Sequence, residues 1–380
     1  MDAIEVLDGG FLTTVQDLGR YGYQRYGVPV AGALDQFALR VANVLVGNQE
    51  GDAGLEVTLV GPRLRFLTDT VIAITGADLE PRLDDAPVAM WQAIAMPQGG
   101  TLSFGGVQDG MRAYLAVAGG IDVPQVLGSR STYTRSRLGG VEGRALEPGD
   151  RLAAFREESA TQLEGRKLPR KQVPAYGHSH ALRVVLGPQD DAFSQEGLQT
   201  FLSAPYTVTP QSDRTGYRHQ GPQIQHKGGA DIISDGIPFG AVQVTGDGMP
   251  ILLLADRGTT GGYTKIATII SVDLAEVAQA TPGDTMSFQS VTVEAAHQAL
   301  RQQEDAIQRL RNTPPTVFAR RRFRARVNGD THDVVTAFEE ASPRPPSPDT
   351  EAATPRRVVR ATVDGETLSF EVEIRGFDSQ

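Results

Sequence analysis

The 380-residue chain contains no cysteine. This absence excludes disulfide bonds, thiolate nucleophiles, iron–sulfur clusters and cysteine-ligated zinc. The sequence also lacks a Gly-x-Ser-x-Gly nucleophile turn and a Gly-x4-Gly-Lys-Ser/Thr phosphate loop. Any ATP must therefore be bound in another manner or by another protein of an assembly.

Long apolar runs and an excess of positive charge are missing as well. No stretch approaches the ~18 apolar residues of a membrane-spanning helix. Residues 1–6 have neither a basic segment nor a long apolar run, so no signal peptide is predicted and a cytoplasmic location is expected. The net charge of −10 argues against a nucleic-acid-binding surface. Neither a membrane nor a nucleic acid is expected as a partner.

Glycine is abundant, with 42 residues, whereas aromatic residues make up only 6% of the chain. Together with 23 prolines, this composition is typical of short strands joined by tight turns. The length suggests two domains of roughly 100–200 residues each. The chain is therefore predicted to be mainly β with a few helices.

Turn signals and changes in composition divide the chain into segments. A first β domain is predicted over residues 1–158 and a second over residues 181–292. Between them, residues 159–180 form a polar linker whose apolar content is too small to be buried. An amphipathic helix over residues 293–312 is ended by two prolines.

The C-terminal segment, residues 313–380, is predicted to be a hairpin appendage. One hairpin turns on Asn328-Gly329 and the other on Asp364-Gly365, which are typical two-residue hairpin turns. A proline-rich stretch between the hairpins, residues 341–355, is predicted to be disordered.

Helical spacing of apolar residues predicts a few helices in the two β domains. In the first domain it marks residues 35–46, where Asp35 is placed as the N-cap. In the second domain, helices are predicted over residues 195–202 and 271–280.

The two domains share an order of signals. Asp17 and Gly22 precede a Gly-Val-Pro turn, and Asp213 and Gly216 precede a Gly-Pro turn. Both domains open with a similar strand and close near a Pro-Gly-Asp turn. These matches indicate an internal duplication in which Asp213-Arg214 mirrors Asp17 and Arg20. Coincidence of turn chemistry is the alternative.

Six motifs, in order along the chain, carry a family resemblance. They are Thr-Val-Gln-Asp-Leu-Gly-Arg at 14–20, Gly-Val-Pro-Val-Ala-Gly-Ala-Leu-Asp at 27–35, Ala-Asn-Val-Leu-Val-Gly-Asn at 42–48, Leu-Gly-Ser-Arg-Ser-Thr at 127–132, Gly-Pro-Gln-Asp at 187–190 and Asp-Arg-Gly-Thr-Thr-Gly-Gly-Tyr at 256–263. Together they resemble the family of KipA and the C subunit of 5-oxoprolinase, also called allophanate hydrolase subunit 2. That family is related to the biotin-dependent carboxyltransferase domain of urea carboxylase.

The resemblance implies a fold of two cyclophilin-like β-barrel domains. It also implies a KipI-like partner, which corresponds to the B subunit of 5-oxoprolinase, and a third partner of the LamB/YcsF type. Such an assembly uses ATP with magnesium to open 5-oxo-L-proline to L-glutamate, so the chain is expected to be an enzyme subunit that is active only in a complex.

Two other roles are compatible with the resemblance. One is the carboxyltransferase component of a biotin-dependent urea or amide carboxylase, and the other is a non-catalytic regulator that binds a KipI-type kinase inhibitor. The tail faintly resembles the first hairpin of a biotin-carrier domain. Because no methionine adjoins a lysine anywhere in the chain, no covalent biotin is expected on it.

Both candidate activities need donors for an oxyanion or phosphate and a carboxylate as base or orienting group. The family motifs supply Asp17, Arg20 and Asp256 as candidate catalytic residues. The candidate substrate-binding residues are Gln16, Arg130, Ser131, Thr132, Thr259, Thr260 and Tyr263. In a purely structural alternative, Asp17 and Arg20 form an ion pair that fixes a glycine loop.

A metal site is not predicted. The six histidines are scattered, and His178 and His180 have no evident third ligand. The expected ligand is therefore a polar small molecule.

Overall fold

The structure, a computed structural model, describes residues 2–155, 163–313, 318–327, 330–339, 356–363 and 366–373. The stretch predicted to be disordered, 341–355, and both predicted hairpin turns, Asn328-Gly329 and Asp364-Gly365, lie outside these residues.

The described residues of the first half contain twelve strands and one α-helix. The strands are β1 (Asp2–Asp8), β2 (Leu12–Gln16), β3 (Gly54–Thr58), β4 (Arg63–Phe66), β5 (Thr70–Asp78), β6 (Pro81–Leu83), β7 (Ala86–Pro87), β8 (Ala93–Met96), β9 (Thr101–Phe104), β10 (Asp109–Val117), β11 (Ile121–Asp122) and β12 (Arg151–Ala154), and the helix is α1 (Gln36–Leu45). They form a seven-stranded sheet, β11-β12-β1-β4-β9-β6-β7, and a five-stranded sheet, β2-β3-β10-β5-β8.

The two sheets of the first half enclose a common core. Ile4 and Phe66 of the seven-stranded sheet and Leu55, Ile74 and Leu115 of the five-stranded sheet belong to one buried apolar cluster. Alternate residues of a strand point to opposite faces, which leaves the other face of the five-stranded sheet free to pack on α1. A barrel was predicted here, whereas the strand pairing of this half forms two facing sheets.

Helix α1 begins where the sequence predicts it. The side chain of Asp35 accepts a hydrogen bond from the backbone N–H of Ala38 at 2.8 Å and thereby caps the helix. Leu39 and Leu45 pack with Tyr114 and Ala116 of β10 in a second apolar cluster. The predicted N-cap and helix are confirmed.

The second half contains nine strands and three helices. The strands are β13 (Ser179–Leu186), β14 (Tyr206–Val208), β15 (Gly216–Gln220), β16 (Asp231–Gly236), β17 (Ala241–Val244), β18 (Pro250–Leu253), β19 (Thr260–Tyr263), β20 (Lys265–Ile269) and β21 (Thr285–Ser290), and the helices are α2 (Gln195–Ser203), α3 (Leu274–Gln279) and α4 (Val293–Asn312). Seven of the strands close into the barrel β13-β20-β17-β18-β15-β14-β21, as predicted.

Among the described residues, the remaining two strands of this half, β16 and β19, pair only with each other and form an antiparallel ribbon. Asp231 lies opposite Tyr263 and Gly236 lies opposite Thr260, with a shift in register between Asp231 and Asp235. This β16–β19 ribbon lies against the barrel at β20, where Asp235 contacts Lys265.

Two segments tie the halves together. Leu34, from the loop before α1, is 1% exposed within the apolar core of the barrel. In the opposite direction, α4 leaves the barrel and places Ile307 and Leu310 in the cluster around α1. Burying such a side chain stabilises the fold by about 1.5–3 kcal/mol.

The predicted linker is more buried than its composition suggests. Leu168 and Tyr176 are each 5% exposed, and Arg166 donates to the carbonyl oxygen of Val44 at 2.9 Å. The expectation that residues 159–180 are too polar to be buried is therefore wrong for the described part, 163–180. The few apolar residues there are spaced so that they reach the surface of the first half.

The tail forms a four-stranded sheet, β22 (Phe318–Val327), β23 (Asp330–Glu339), β24 (Arg356–Val363) and β25 (Glu366–Glu373). β22 pairs with β23 and β24 with β25, both antiparallel, as expected for two hairpins. Strands β23 and β24 join the two hairpins into one sheet.

Candidate active site at the junction of the two halves

The carboxylate of Asp17 joins the end of β2 to the turn at residues 129–132. Its Oδ1 accepts from the N–H of Gly19 at 2.8 Å and from the hydroxyls of Ser129, at 2.7 Å, and Ser131. Its Oδ2 accepts from the N–H of Arg130 at 2.6 Å. Four donors on one carboxylate leave it little capacity to take a proton from a substrate, so its geometry favours a positioning role.

Arg20 lies beside Asp17 but does not form the predicted ion pair with it. Among the described residues, its guanidinium donates to the carbonyl oxygens of Ser131 and, at 3.5 Å, Val126, while Nη1 has no partner. The side chain is 1% exposed, and burial lowers the pKa of Arg20 despite the nearby charges of Asp17 and Asp256. That both carboxylates act on Arg20 shows that the two predicted regions meet here.

Gln16 and Thr132 bond to each other and to β2 inside the first half, while Oε1 of Gln16 is buried without a partner among the described residues. Gln16 donates to the hydroxyl of Thr14 at 3.0 Å and to the carbonyl oxygen of Thr132 at 3.1 Å. The hydroxyl of Thr132 in turn donates to the carbonyl oxygen of Val15 at 2.9 Å. Both side chains are buried, so solvent does not reach them in this conformation.

Arg130 is the member of this turn that extends toward solvent. Its side chain is 23% exposed, lies 3.6 Å from a carboxylate oxygen of Asp122 and stacks over the ring of Phe155 at 5.6 Å. A partly exposed guanidinium next to an aromatic ring is suited to bind a carboxylate or a phosphate.

Asp256 of the second half is held by Arg214. The guanidinium donates to both oxygens of Asp256, at 3.0 and 3.1 Å, to the carbonyl oxygen of Gly32 at 2.7 Å, and to a carboxylate oxygen of Glu56. Burial raises the pKa of Glu56, but the guanidiniums of Arg214 and Arg112 outweigh it, so the pKa of Glu56 lies below its ordinary value. A charged Glu56–Arg214–Asp256 bridge thus links the two halves.

A second buried polar network continues from Glu56. Glu56 accepts from the hydroxyl of Tyr114 at 2.8 Å, and Arg112 donates to the hydroxyl of Tyr217 at 2.7 Å. Gln279 accepts from the backbone N–H of Arg112 at 2.9 Å and donates to Asp35 at 2.9 Å. Burial raises the pKa of Asp35 to about 6.

The remaining predicted residues lie farther along the second half. The carbonyl oxygen of Thr259 accepts from the N–H of Ile237 at 3.2 Å, whereas Thr260 and Tyr263 lie on β19 with exposed side chains. Between them and Asp256, Arg257 is buried over the ring of Phe239 at 5.5 Å, and burial lowers the pKa of Arg257 to about 10.

The structure therefore brings together Gln16, Asp17, Arg20, Ser131 and Thr132, with Asp256 close to Arg20. Arg130, beside this buried centre, is partly exposed, whereas Thr260 and Tyr263 are exposed on the β16–β19 ribbon. The sequence did not identify Glu56, Arg112 or Gln279, because none of them lies in one of the six motifs. A charged residue inside an otherwise apolar strand is the signal that would have marked Glu56.

A cavity of about 220 Å³ lies nearby, where α1, α3 and α4 meet. It is lined by Tyr21, Phe37, Arg40, Phe239, Leu300 and Gln303, among others, and by none of the predicted site residues. Arg40 is already bound to Glu50 at 2.6 Å and to Glu304 at 2.5 Å. Its charge is therefore neutralised, and the cavity offers no free cation to a ligand.

The described residues contain no group of three or more His, Asp or Glu side chains arranged to hold a metal ion. Within the same residues, no helix is long and apolar enough to cross a membrane.

Comparisons with known proteins match this arrangement to one family. Residues 26–290 match the family model "Carboxyltransferase domain, subdomain A and B". The chain is 39% identical over 308 residues to the C subunit of 5-oxoprolinase from Escherichia coli K12, covering 81% of this chain and 97% of that protein. It is 35% identical over 327 residues to urea amidolyase of Saccharomyces cerevisiae, covering 82% of this chain and 18% of that protein.

A solved structure agrees with these matches. The crystal structure of the urea carboxylase of Kluyveromyces lactis superposes with a TM-score of 0.77 at 31% identity. The superposition covers 89% of this chain and 33% of the carboxylase, so this chain spans about a third of that protein.

Proposed function

Because the chain belongs to the family of the carboxyltransferase domain, subdomains A and B, we propose that it is the C subunit of an ATP-dependent 5-oxoprolinase. In this role it works with a KipI-like protein and a third protein of the LamB/YcsF type to convert 5-oxo-L-proline to L-glutamate. The assembly hydrolyses ATP, which it uses together with magnesium. We place the assembly in the cytoplasm, where ATP is available.

The observation that carries the proposal is the coverage of the relatives. The chain matches 97% of the 5-oxoprolinase C subunit of E. coli but only 18% of the yeast urea amidolyase. The chain therefore contains a counterpart of nearly the whole C subunit. Of the yeast urea amidolyase it contains a counterpart of less than a fifth.

The geometry supports a division of labour among the predicted residues. Asp17 accepts from four donors and Asp256 is paired with Arg214, so we assign them, with Arg20, to positioning the loops that meet at the junction. Arg130, Thr260 and Tyr263 have exposed or partly exposed side chains and are the members of the set that substrate can reach. Loops held in one geometry lower the entropic cost of orienting a substrate.

A second candidate remains because of the structural neighbour. The superposition with urea carboxylase covers 89% of this chain, which supports a carboxyltransferase component that is visited by a separate biotin carrier. The two activities differ in their products, since one releases glutamate and the other transfers a carboxyl group to urea.

One experiment separates the two candidates. The chain is combined with purified KipI-like and LamB/YcsF-like proteins, and ATP hydrolysis is measured with 5-oxo-L-proline. In parallel, carboxyl transfer is measured with urea and carboxybiotin. The proposal predicts ATP hydrolysis and glutamate release with 5-oxo-L-proline only, whereas carboxylation of urea without glutamate release would reject it.

A further inference from the structure

The ammonium group of Lys265 is enclosed beneath the β16–β19 ribbon. The side chain is 1% exposed, and its Nζ donates to Oδ2 of Asp235 at 3.2 Å. Asp235 itself is 55% exposed. An ammonium group has three donors, and Asp235 is the one acceptor that the described part of the chain provides for them.

Two carboxamides lie in the surroundings of Lys265. Gln189, from the Gly-Pro-Gln-Asp motif, donates to Asp235 at 3.4 Å and accepts from the backbone N–H of Lys265 at 3.1 Å. Gln243 lies opposite Lys265 across the pairing of β17 with β20, is 5% exposed, and donates to the carbonyl oxygen of Tyr263 at 3.4 Å. A buried cation with amide groups in its surroundings is suited to a small molecule that carries both a carboxylate and an amide.

Among the described residues, the ribbon over this site makes no strand pairing with the barrel. It consists of two strands that pair only with each other, and such a ribbon has little stability of its own. Ile233 at its outer side is 95% exposed. On its inner side a Cβ at Gly261 would lie 2.9 Å from Nε2 of Gln243, so glycine permits the close approach.

A purely structural ion pair is a poor explanation of these contacts. Burying an ammonium group carries a large desolvation cost, and a partner that is itself half in water offsets only part of that cost. When the carboxylate of a ligand replaces Asp235 as the partner of Lys265, a fully enclosed, charge-assisted hydrogen bond offsets the cost of desolvating the ammonium group.

We propose that Lys265 anchors the carboxylate of a small acid that also carries an amide or lactam, and that Asp235 occupies this position until the ligand displaces it. The proposal rests on the 5-oxoprolinase function, from which the probe, 5-oxo-L-proline, is chosen. Gln189 and Gln243 then face the lactam, and the ribbon closes over the bound molecule.

The chain has four lysines, Lys167, Lys171, Lys227 and Lys265, which makes a direct test practical. The full chain is labelled at its lysine side chains, and the lysine signals are resolved by NMR. The signal that is missing in the Lys265→Met variant is assigned to Lys265. Titration with 5-oxo-L-proline is expected to shift the Lys265 signal saturably. The exposed Lys227 serves as the internal control and is expected to stay unchanged.

Two ligand comparisons make the titration specific. The uncharged lactam 2-pyrrolidinone lacks the carboxylate and is expected to leave Lys265 unchanged. An unshifted Lys265 signal with 5-oxo-L-proline up to about 10 mM, above the usual range of KM values, overturns the proposal. An equal response to 2-pyrrolidinone also overturns it.

The displacement step is tested with Asp235→Asn. Removing the internal competitor is expected to lower the Kd for 5-oxo-L-proline by about three- to tenfold, because a larger fraction of the chain becomes competent to bind. Asp231→Asn, on the same strand, is the matched control with an unchanged Kd. Weaker or unchanged binding in Asp235→Asn rejects Asp235 as the displaced group.

The site and the function can fail separately. Glutamate formation by the reconstituted assembly without any response of Lys265 rejects the site and leaves the function standing. A saturable response of Lys265 in a chain whose assembly forms no glutamate retains a carboxylate site and rejects the 5-oxoprolinase function.

Discussion

Arg214 of the second half donates a hydrogen bond to Glu56 of the first half, across 158 residues of sequence. The same guanidinium holds Asp256 through two hydrogen bonds and the backbone of Gly32 through another. One buried arginine therefore joins two of the predicted motifs, through Gly32 and Asp256, to Glu56.

Replacement of Arg214 by methionine should be strongly destabilising. It leaves the carboxylates of Glu56 and Asp256 buried without their shared cation, which costs about 3–5 kcal/mol of unfolding free energy. Urea denaturation measures the loss. The matched control is Arg135→Ala, which breaks the exposed pair with Asp213 and should cost at most about 1 kcal/mol. Equal effects of the two substitutions would contradict the bridge.

Asp17→Asn should loosen the turn at residues 129–132 more than it affects the rest of the first half. The side-chain nitrogen of asparagine is a hydrogen-bond donor and cannot accept the hydrogen bonds that the Asp17 carboxylate accepts. Hydrogen exchange at the N–H of Arg130 should therefore accelerate about tenfold or more. Asp122→Asn, at a carboxylate that is 44% exposed, is the control and should leave this exchange rate unchanged. Unchanged exchange in Asp17→Asn would refute the clamping role.

Asp35 should make the stability of the fold depend on pH. Burial, together with the charge of Glu56, raises the pKa of Asp35 to about 6, although hydrogen bonds from Ala38 and Gln279 act to lower it. Because the folded state binds this proton more tightly than the unfolded chain does, the unfolding free energy falls as pH rises from about 4 to about 6 and then levels off. The expected loss is about 3 kcal/mol.

The Asp35→Asn variant isolates this contribution, since it keeps the shape but cannot titrate. The difference in unfolding free energy between wild type and variant should change by about 3 kcal/mol between pH 4 and pH 7, with wild type losing stability. Parallel curves for the two proteins would show that Asp35 titrates normally.

Arg130→Ala should impair turnover and leave the fold intact. Its partly exposed guanidinium is placed to bind a developing or ground-state negative charge, so kcat/KM of the reconstituted assembly should fall by about a hundredfold or more. Arg65→Ala removes an exposed arginine elsewhere on the first half and should have no effect on turnover. If the Arg130 variant retains full turnover, this residue lies outside the substrate site.

The elements of the fold were predictable where local patterns decide them. The cap at Asp35 and the helices at residues 36–45, 195–203 and 293–312 follow from side-chain spacing and capping chemistry. The region 271–280 is divided between a 3₁₀ turn at Ser271–Asp273 and α3, which spacing alone does not distinguish.

The long-range part of the site was not predictable in the same way. Asp17 and Arg20 are three residues apart, and the sequence suggested that they pair, yet each bonds to the turn at 129–132 instead. Arg214 was identified only as a copy of Arg20, although its partners are Glu56 and Asp256. Such contacts depend on tertiary packing, which local sequence patterns do not encode.

The most direct test of the proposed function is the amount of L-glutamate formed per ATP hydrolysed by the reconstituted assembly, measured with and without this chain. With the chain present, glutamate and ADP should form in equal amounts, and no glutamate should form when the chain is omitted. Undiminished glutamate formation without the chain would reject the proposed function.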